Sequence, residues 1–441
     1  MTWIGEEVHD FKWGKGTVKA QRHGGNELFI QFDNGVVSWI RKKTVTRISE
    51  EPIDTVVVPP PDIEGMPEAQ NDAHINRRAI ESFKLGIVPP FVKNFIFGRA
   101  REIEYIDKWL NQDIQNYLLL FGEYGTGKSH FLKYIQEIAL ENNFVVSQCS
   151  LDPEESPLSK PKMVYRNIVS NFQWMNDKGF REYIIELANK NPSRKRGNPY
   201  IENIIRHPKN EEIFWKWIEG DDVIKTFDGF PSLYPWSTAA NIFCNLLSAF
   251  GHFAVNEMNM DGFLLLFDEA ESLQFPYAYS YQYSRGINFF KGLLLSASSD
   301  PRLLNERISI STPRTGFETD LIYCGFNQMP YLYDNPSGLK VLFALTPSDV
   351  IRQFCVEIGF DRYLQLERLT DDDKEDLVNA VQQIYRIAYP GMSFSNFERS
   401  IIKAKAMEIG RDNIRNLLKC TIEAMDLCRH REDEPLEELL I

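Results

Sequence analysis

The 441-residue sequence contains no Cys-x-x-Cys pair among its six cysteines, Cys149, Cys244, Cys324, Cys355, Cys420 and Cys428. Zinc ribbons and dithiol redox centres need such pairs. Buried reduced thiols are therefore expected, with Cys420 and Cys428 spaced to share a helix face. Reduced thiols fit a cytoplasmic protein. No apolar run approaches the roughly 18 residues of a membrane helix. Trp3-Ile4 runs at once into Gly5-Glu-Glu7, not into the apolar stretch of a secretory leader. Neither a membrane partner nor export is expected. A basic excess is also lacking: the net charge is −13. That argues against a whole-surface nucleic-acid binder and leaves only local basic grooves open. No internal repeat is visible.

What is present is a foldable composition, 43% hydrophobic and 25% charged, at a length that suggests roughly two to four domains. Residues 1–50 alternate in Glu27-Leu-Phe-Ile-Gln-Phe32 and Val36-Val-Ser-Trp-Ile40, with turns at Gly14-Lys-Gly16, Gly24-Gly25 and Asp33-Asn-Gly35. Glycine and asparagine tolerate the positive φ that tight hairpins demand, so a small SH3-like or Tudor-like β-barrel is expected. Residues 51–73 carry Val58-Pro-Pro-Pro-Asp62, which forces an extended backbone and reads as a linker. From residue 74, helical and strand patterns alternate, the mark of α/β architecture. Tyr117–Phe121, Phe263–Phe267, Val341–Leu345 and Phe144–Ser147 are the strand candidates. The unbroken apolar character of the first three fits a parallel sheet covered on both faces. A P-loop core over 74–358 follows, with a helical insertion at about 172–260 and a helical domain over 359–441. Thr370-Asp371-Asp-Asp373 opens one of its helices.

Gly122-Glu123-Tyr124-Gly125-Thr126-Gly127-Lys128-Ser129 matches the phosphate-loop pattern Gly-x-x-x-x-Gly-Lys-Ser in full. It follows an apolar strand and precedes a helical pattern beginning His130-Phe-Leu-Lys. Three glycines permit a tight loop with inward N–H groups, and these, with the helix N-terminus, cradle phosphate oxygens. Lys128 would reach the β- and γ-phosphates of ATP and Ser129 would ligate Mg²⁺. The blander reading is a glycine-rich turn before an exposed lysine.

Phe263-Leu-Leu-Leu-Phe267-Asp268-Glu269 sets two carboxylates at the tip of an apolar strand. Asp268 would hold the Mg²⁺ shell, and Glu269 would orient and deprotonate a water. Alternatively, both simply end a buried strand and cap the next helix. Glu271 and Ser272 are read as the start of that helix. A third strand ends in Thr346-Pro-Ser-Asp349. Thr346 is either a sensor of the γ-phosphate or the first residue of a proline turn.

Phe97-Gly98-Arg99 with Arg101-Glu102, the phosphate loop through His130, and Leu266-Phe-Asp-Glu-Ala-Glu271 resemble AAA+ ATPases of the origin-recognition and STAND-related branch. Arg78-Ala-Ile-Glu-Ser-Phe-Lys-Leu-Gly86 with Pro89, and Met163-Val-Tyr-Arg166, resemble the BREX-system ATP-binding proteins of the BrxC/BrxD type. The resemblance covers about 74–430. It implies an AAA+-like parallel sheet with a helical lid, and Mg²⁺-dependent ATPase work in bacterial anti-phage defence, beside partner defence proteins and DNA. It further implies a homo-oligomer with an arginine finger among Arg285, Arg302, Arg307 and Arg314. It places adenine near Ile96 to Arg99. Gly410-Arg-Asp-Asn-Ile-Arg415 resembles a lid helix that offers an arginine to ATP, a role carried to Arg415 with Arg411 as rival. A nucleotide-gated scaffold or a DNA-binding adaptor with little turnover is the alternative. Val8-His-Asp-Phe-Lys-Trp-Gly-Lys-Gly-Thr-Val18 and Phe32-Asp-Asn-Gly35 resemble the Tudor-like C-terminal domain of UvrD-type helicases. Two basic stretches, Arg41-Lys-Lys43 and Arg194-Lys-Arg196, are candidate DNA contacts, with Trp13, Phe29 and Trp39 as aromatics. The alternative is that so small a barrel needs those rings for its core, and that charge clusters are usually solvated faces.

Overall fold

The structure is a computed structural model. It describes residues 3–4, 7–10, 14–22, 27–33, 37–41, 45–47, 68–89, 91–111, 116–175, 178–192, 197–206, 212–221, 230–270, 280–357, 359–360, 362–391, 394–410 and 413–430. The chain divides into two compact units, 1–71 and 72–441.

The first unit carries five strands: β1 (Glu7–Asp10), β2 (Gly14–Arg22), β3 (Glu27–Phe32), β4 (Val37–Arg41) and β5 (Val45–Arg47). They form one antiparallel sheet in the order β4-β3-β2-β1-β5. Alternation does the work here, because successive side chains of a strand face opposite ways. Val8, Val18, Leu28, Ile30 and Phe32 share one small core. Gly16 is buried where β2 meets β3, and a Cβ there would lie 2.7 Å from the Gln31 carbonyl. Lys42, Lys43, Trp13 and Arg194–Arg196 lie outside the described residues, as do Glu271 and Ser272.

Helix α1 (Glu68–Leu85), most of which falls in the second unit, and α2 (Ala100–Asn111) precede strand β6 (Tyr117–Gly122). Helix α3 (Lys128–Glu141), β7 (Phe144–Ser150) and α4 (Pro161–Ser170) follow, then a two-residue strand, β8 (Phe172–Gln173). Helices α5 (Phe180–Lys190), α6 (Pro199–Arg206), α7 (Glu212–Ile218) and α8 (Ala240–Asn256) lead to β9 (Gly262–Asp268). Helix α9 (Ser280–Ala297), β10 (Leu339–Leu345), α10 (Asp349–Glu357) and β11 (Tyr363–Leu366) complete the sheet. Helices α11 (Asp371–Ala388), α12 (Asn396–Ile409) and α13 (Ile414–His430) close the described chain.

The sheet runs β11-β6-β10-β9-β7-β8, parallel throughout except for β8. Its strands are apolar on both sides because both sides are covered. Tyr117, Leu119 and Phe121 enter one core, with α8, α9 and the α4–α7 helices, while Leu118 and Leu120 enter a second, with α2 and α3. Phe263, Leu265 and Phe267 divide from Leu264 and Leu266 in the same way. Helices α11–α13 and α1 share a third core built on Phe83, Leu377, Val381, Tyr385, Ile402 and Leu417. Helix α11 begins at an N-cap, where the Thr370 hydroxyl accepts from Asp373 N–H and the Asp373 carboxylate accepts from Thr370 N–H. The region after 360, helical by its pattern, opens with strand β11. Tyr363-Leu-Gln-Leu366 is too short to declare itself and is fixed by parallel pairing to β6, with Leu366 opposite Gly122.

Candidate functional site

Strand order brings distant residues together. Strand β10 separates β6 from β9, and β7 lies beyond β9. The carboxyl ends of these four strands therefore form one edge, where Gly122, Thr346, Asp268 and Ser150 stand as strand tips or the first residues beyond. Ligands of open parallel α/β sheets bind at that edge.

The loop after β6 turns at Gly125 (φ 80°) and Gly127 (φ 91°), backbone that residues with a Cβ rarely adopt. Thr126 braces the turn, its hydroxyl donating to the Glu123 carbonyl at 2.9 Å. Lys128, the first residue of α3, donates from Nζ to the Gly122 carbonyl at 2.8 Å and to Thr346 Oγ1 at 3.2 Å. The lysine thus bridges the phosphate loop and the β10 tip. Thr346, named from the sequence, sits in contact with it. A Cβ at Gly122 would lie 2.7 Å from Thr126 Oγ1, whereas one at Gly127 would meet nothing within 4 Å. The loop is tight at its base and open over its crown, which suits a phosphate.

Asp268 is the last residue of β9, and its Oδ1 accepts the Glu269 N–H at 2.9 Å. Glu269 has φ 56°, a left-handed backbone unusual for a residue with a side chain. Its Oε2 accepts the Ser150 hydroxyl at 2.6 Å. Ser150 lies opposite Asp268 in the β7–β9 register. Ser129 is exposed at the head of α3. The hydroxyl of Ser129 and the carboxylate of Asp268 are hard oxygen donors of the kind Mg²⁺ takes, and Mg²⁺ draws its remaining ligands from water and phosphate. Among the described residues no group of three or more His, Cys, Asp or Glu side chains is placed to hold a metal.

Arg99 does not lie free beside a ligand. It is 7% exposed and held by three contacts. Nη2 donates to the Thr126 carbonyl at 2.8 Å; Nη1 donates to the Glu367 carbonyl at 2.6 Å and to Glu102 Oε1 at 2.9 Å. One guanidinium therefore ties α2, the phosphate loop and the exit of β11. Because a trans peptide points its C=O and N–H in opposite directions, drawing the Thr126 carbonyl onto Arg99 aims the Gly127 N–H the other way. Gly98 (φ 64°) packs against Leu369 and Asp373. His130 bonds through Nε2 to the Phe95 carbonyl at 3.0 Å. Burial pushes its pKa down to about 4, with the Arg99 charge adding to the effect. It is neutral at pH 7 and fixes the Phe95–Phe97 segment rather than carrying charge to the loop.

Arg99, the loop from Glu123 to His130 and the two carboxylates line one cavity of about 440 Å³, a size typical of small-ligand sites. Its polar lining includes Asp268 and Glu269, and its apolar lining includes Val88, Ile96, Phe97, Leu369, Leu377 and Ile414. Arg415 lines it too, its stem across Gly86, where a Cβ would lie 2.8 Å from Arg415 Cδ. Arg411 lies outside the described residues. Asn413 reaches the loop, 3.2 Å from the position of a Cβ at Gly125, and caps α13 by accepting Arg415 N–H at 2.9 Å. Sequence alone does not mark Ser150, which strand register brings to Glu269, or Asn413 and the α11 and α13 apolar side chains, which helix packing brings to the cavity. Of the arginine-finger candidates, Arg285 is buried and Arg302 is clamped on Asp300 at 2.7 Å, while Arg307 is exposed.

Parallel sheet, glycine loop, lysine at the helix head and paired carboxylates across β10 define a P-loop nucleotide-binding α/β protein. Residues 72–180, which hold the loop, match the family model of the BREX system ATP-binding protein BrxC/D. Comparison with curated proteins gives no match. Among solved structures, the ORC2 protein of Aeropyrum pernix in its ADP form is similar at 12% identity and a TM-score of 0.40, over 82% of this chain and 70% of that one. AMPPCP-bound DnaA from Aquifex aeolicus gives 12% and 0.35, over 79% and 69%. Domain III of the Thermotoga maritima replication initiation protein DnaA gives 12% and 0.36, over 79% and 94%.

Proposed function

We propose that the chain is a Mg²⁺-dependent ATPase of a BREX-like anti-phage assembly, which it remodels or licenses on DNA. The observation that carries the reading is one cavity lined both by Lys128, Ser129, Asp268 and Glu269 and by the apolar Ile96, Phe97 and Ile414. In this reading the loop N–H groups and Lys128 bind the triphosphate, and the apolar side chains take the base. Ser129 and Asp268 hold Mg²⁺, which supplies charge neutralisation when bound. Glu269 orients a water and accepts its proton, Thr346 reports on the γ-phosphate through Lys128, and Arg415 approaches from α13. The match over 72–180 supports the defence context; partner proteins, DNA, a homo-oligomer and a cytoplasmic location are part of the same proposal. So is a Tudor-like docking role for the N-terminal sheet.

One observation favours a second reading, a nucleotide-gated scaffold. Glu269 is already engaged by Ser150 and Lys128 by Gly122 and Thr346, an arrangement suited to slow turnover. Steady-state ATPase assays with and without duplex DNA at two salt concentrations test both. Glu269→Gln should lower turnover by about 10²-fold or more while retaining ATP binding. Wild-type protein that binds ATP without turning it over under any condition would leave the scaffold; protein that binds no ATP would end both.

A further inference from the structure

A second cavity lies between α11 and α12 and shares no lining residue with the first. It has a volume of about 420 Å³ and is lined by Asn379, Gln382, Gln383 and Arg386 of α11 with Arg399, Ser400 and Lys403 of α12. It is close in volume to the nucleotide cavity but opposite in chemistry. No lining residue is apolar and none is acidic, while three are cations. Lys403 is ion-paired with Glu375, which leaves its positive charge partly offset. Arg386 is exposed. Gln382 is buried and donates to the Arg399 carbonyl at 3.3 Å, holding the two helices in step.

Arg399 is partly buried. Its Nε is shielded from water and has no hydrogen-bond partner. Leaving a buried donor of a charged group unmet costs about 1–3 kcal/mol or more. A wall of guanidinium, ammonium, amide and hydroxyl groups matches tetrahedral oxyanions, whose several oxygens accept from many donors at once. The volume exceeds that of a single phosphate group.

The geometry points to an oxyanion site between α11 and α12 that takes a ligand with two or more phosphate groups. The shared chemistry is phosphate oxygen; its source is either a free polyphosphate or consecutive phosphodiesters of a nucleic-acid backbone. The site is separate from the proposed ATPase centre and does not depend on it. Helices α11 and α12 pack on α13, whose Asn413–Arg415 end lines the nucleotide cavity, so occupancy would bear on the position of that end.

The test uses full-length protein saturated with ADP and Mg²⁺, so that the phosphate loop is filled. Inorganic pyrophosphate is titrated by calorimetry, and a fluorescent duplex of about 12 base pairs by anisotropy. Arg386→Glu and Gln383→Glu change exposed side chains and place negative charge at the cavity. Each should weaken binding roughly tenfold with ADP affinity unchanged. Loss confined to pyrophosphate assigns a free polyphosphate; loss confined to the duplex assigns a nucleic-acid backbone. Absence of binding by both probes, or binding equally tight in wild type and both variants, overturns the site. The ADP titration preceding each run reads the nucleotide site by itself, so failure there is distinguishable.

Discussion

Arg99 offers the sharpest test of how the site is held. Replacing it with alanine removes all three contacts and leaves the Glu102 carboxylate and the carbonyls of Thr126 and Glu367 without their cation. A hydrogen bond to a charged group contributes about 1.5–3 kcal/mol net, and breaking a buried pair by removing one partner costs about 3–5 kcal/mol. Arg99→Ala should therefore destabilise the second unit by roughly 3–5 kcal/mol. Lysine keeps the charge near Glu102 but lacks the planar fork that reaches two carbonyls at once. Arg99→Lys should lose less stability, about 1–2 kcal/mol, yet still release the Thr126 carbonyl and the aim of the Gly127 N–H. ATP affinity should then fall about tenfold or more in the lysine variant even where the fold is intact. Urea denaturation and calorimetric ATP titration on the same samples separate the two effects. A lysine variant that binds ATP as tightly as wild type would refute the claim that Arg99 orients the loop. An alanine variant with unchanged stability would refute the clamp altogether.

Ser150→Ala frees Glu269 Oε2 from its hydroxyl donor and should raise basal ATP turnover by roughly two- to tenfold without altering ATP affinity; unchanged kcat would remove Ser150 from the account. His130, with its folded pKa lowered to about 4, is neutral when folded and takes up a proton more readily when unfolded. Its contribution is therefore fully present above the unfolded value near 6.5 and falls away as pH drops towards 4. Comparing urea stability of wild type and His130→Gln at pH 7 and 4.5 should show the wild type losing more, on the order of 2–3 kcal/mol at most. Equal losses would refute it. Gly410→Ala puts a Cβ 2.3 Å from Leu417 Cα. Because the obstacle is backbone, the helices must part, and a loss of about 2 kcal/mol or more is expected, read as a lower denaturation midpoint.

The sequence disclosed those parts of the site whose chemistry is contiguous. Gly122–Ser129 is one local structure, a strand end, a turn and a helix start, and each step leaves its residue types in order. Asp268-Glu269 is equally local, since a doubly covered strand is apolar until it reaches solvent. Ser150 was not legible, because its contact with Glu269 depends on the β7–β9 register and serine ends many strands. Asn413 belongs to a helix start whose distance from Gly125 is set by tertiary packing alone. Arg99, placed beside the ligand by resemblance, lines the cavity, but its three hydrogen bonds to Glu102, Thr126 and Glu367 are set by tertiary packing that no motif spells out. Strand β11 was missed because four residues at a sheet edge carry too weak a periodicity.

The position of β10 has a consequence for how the chain acquires its function. It lies between β6 and β9 and belongs to a stretch more than two hundred residues downstream of the phosphate loop. During synthesis the loop, the carboxylate pair and the helices between them all emerge before the strand that joins the two halves. Closing so long a span is slow, because loop entropy is lost before the long-range pairing can compensate. A nascent chain halted before residue 339 would hold both motifs with no strand to link β6 to β9, so nucleotide capture should begin only late in translation.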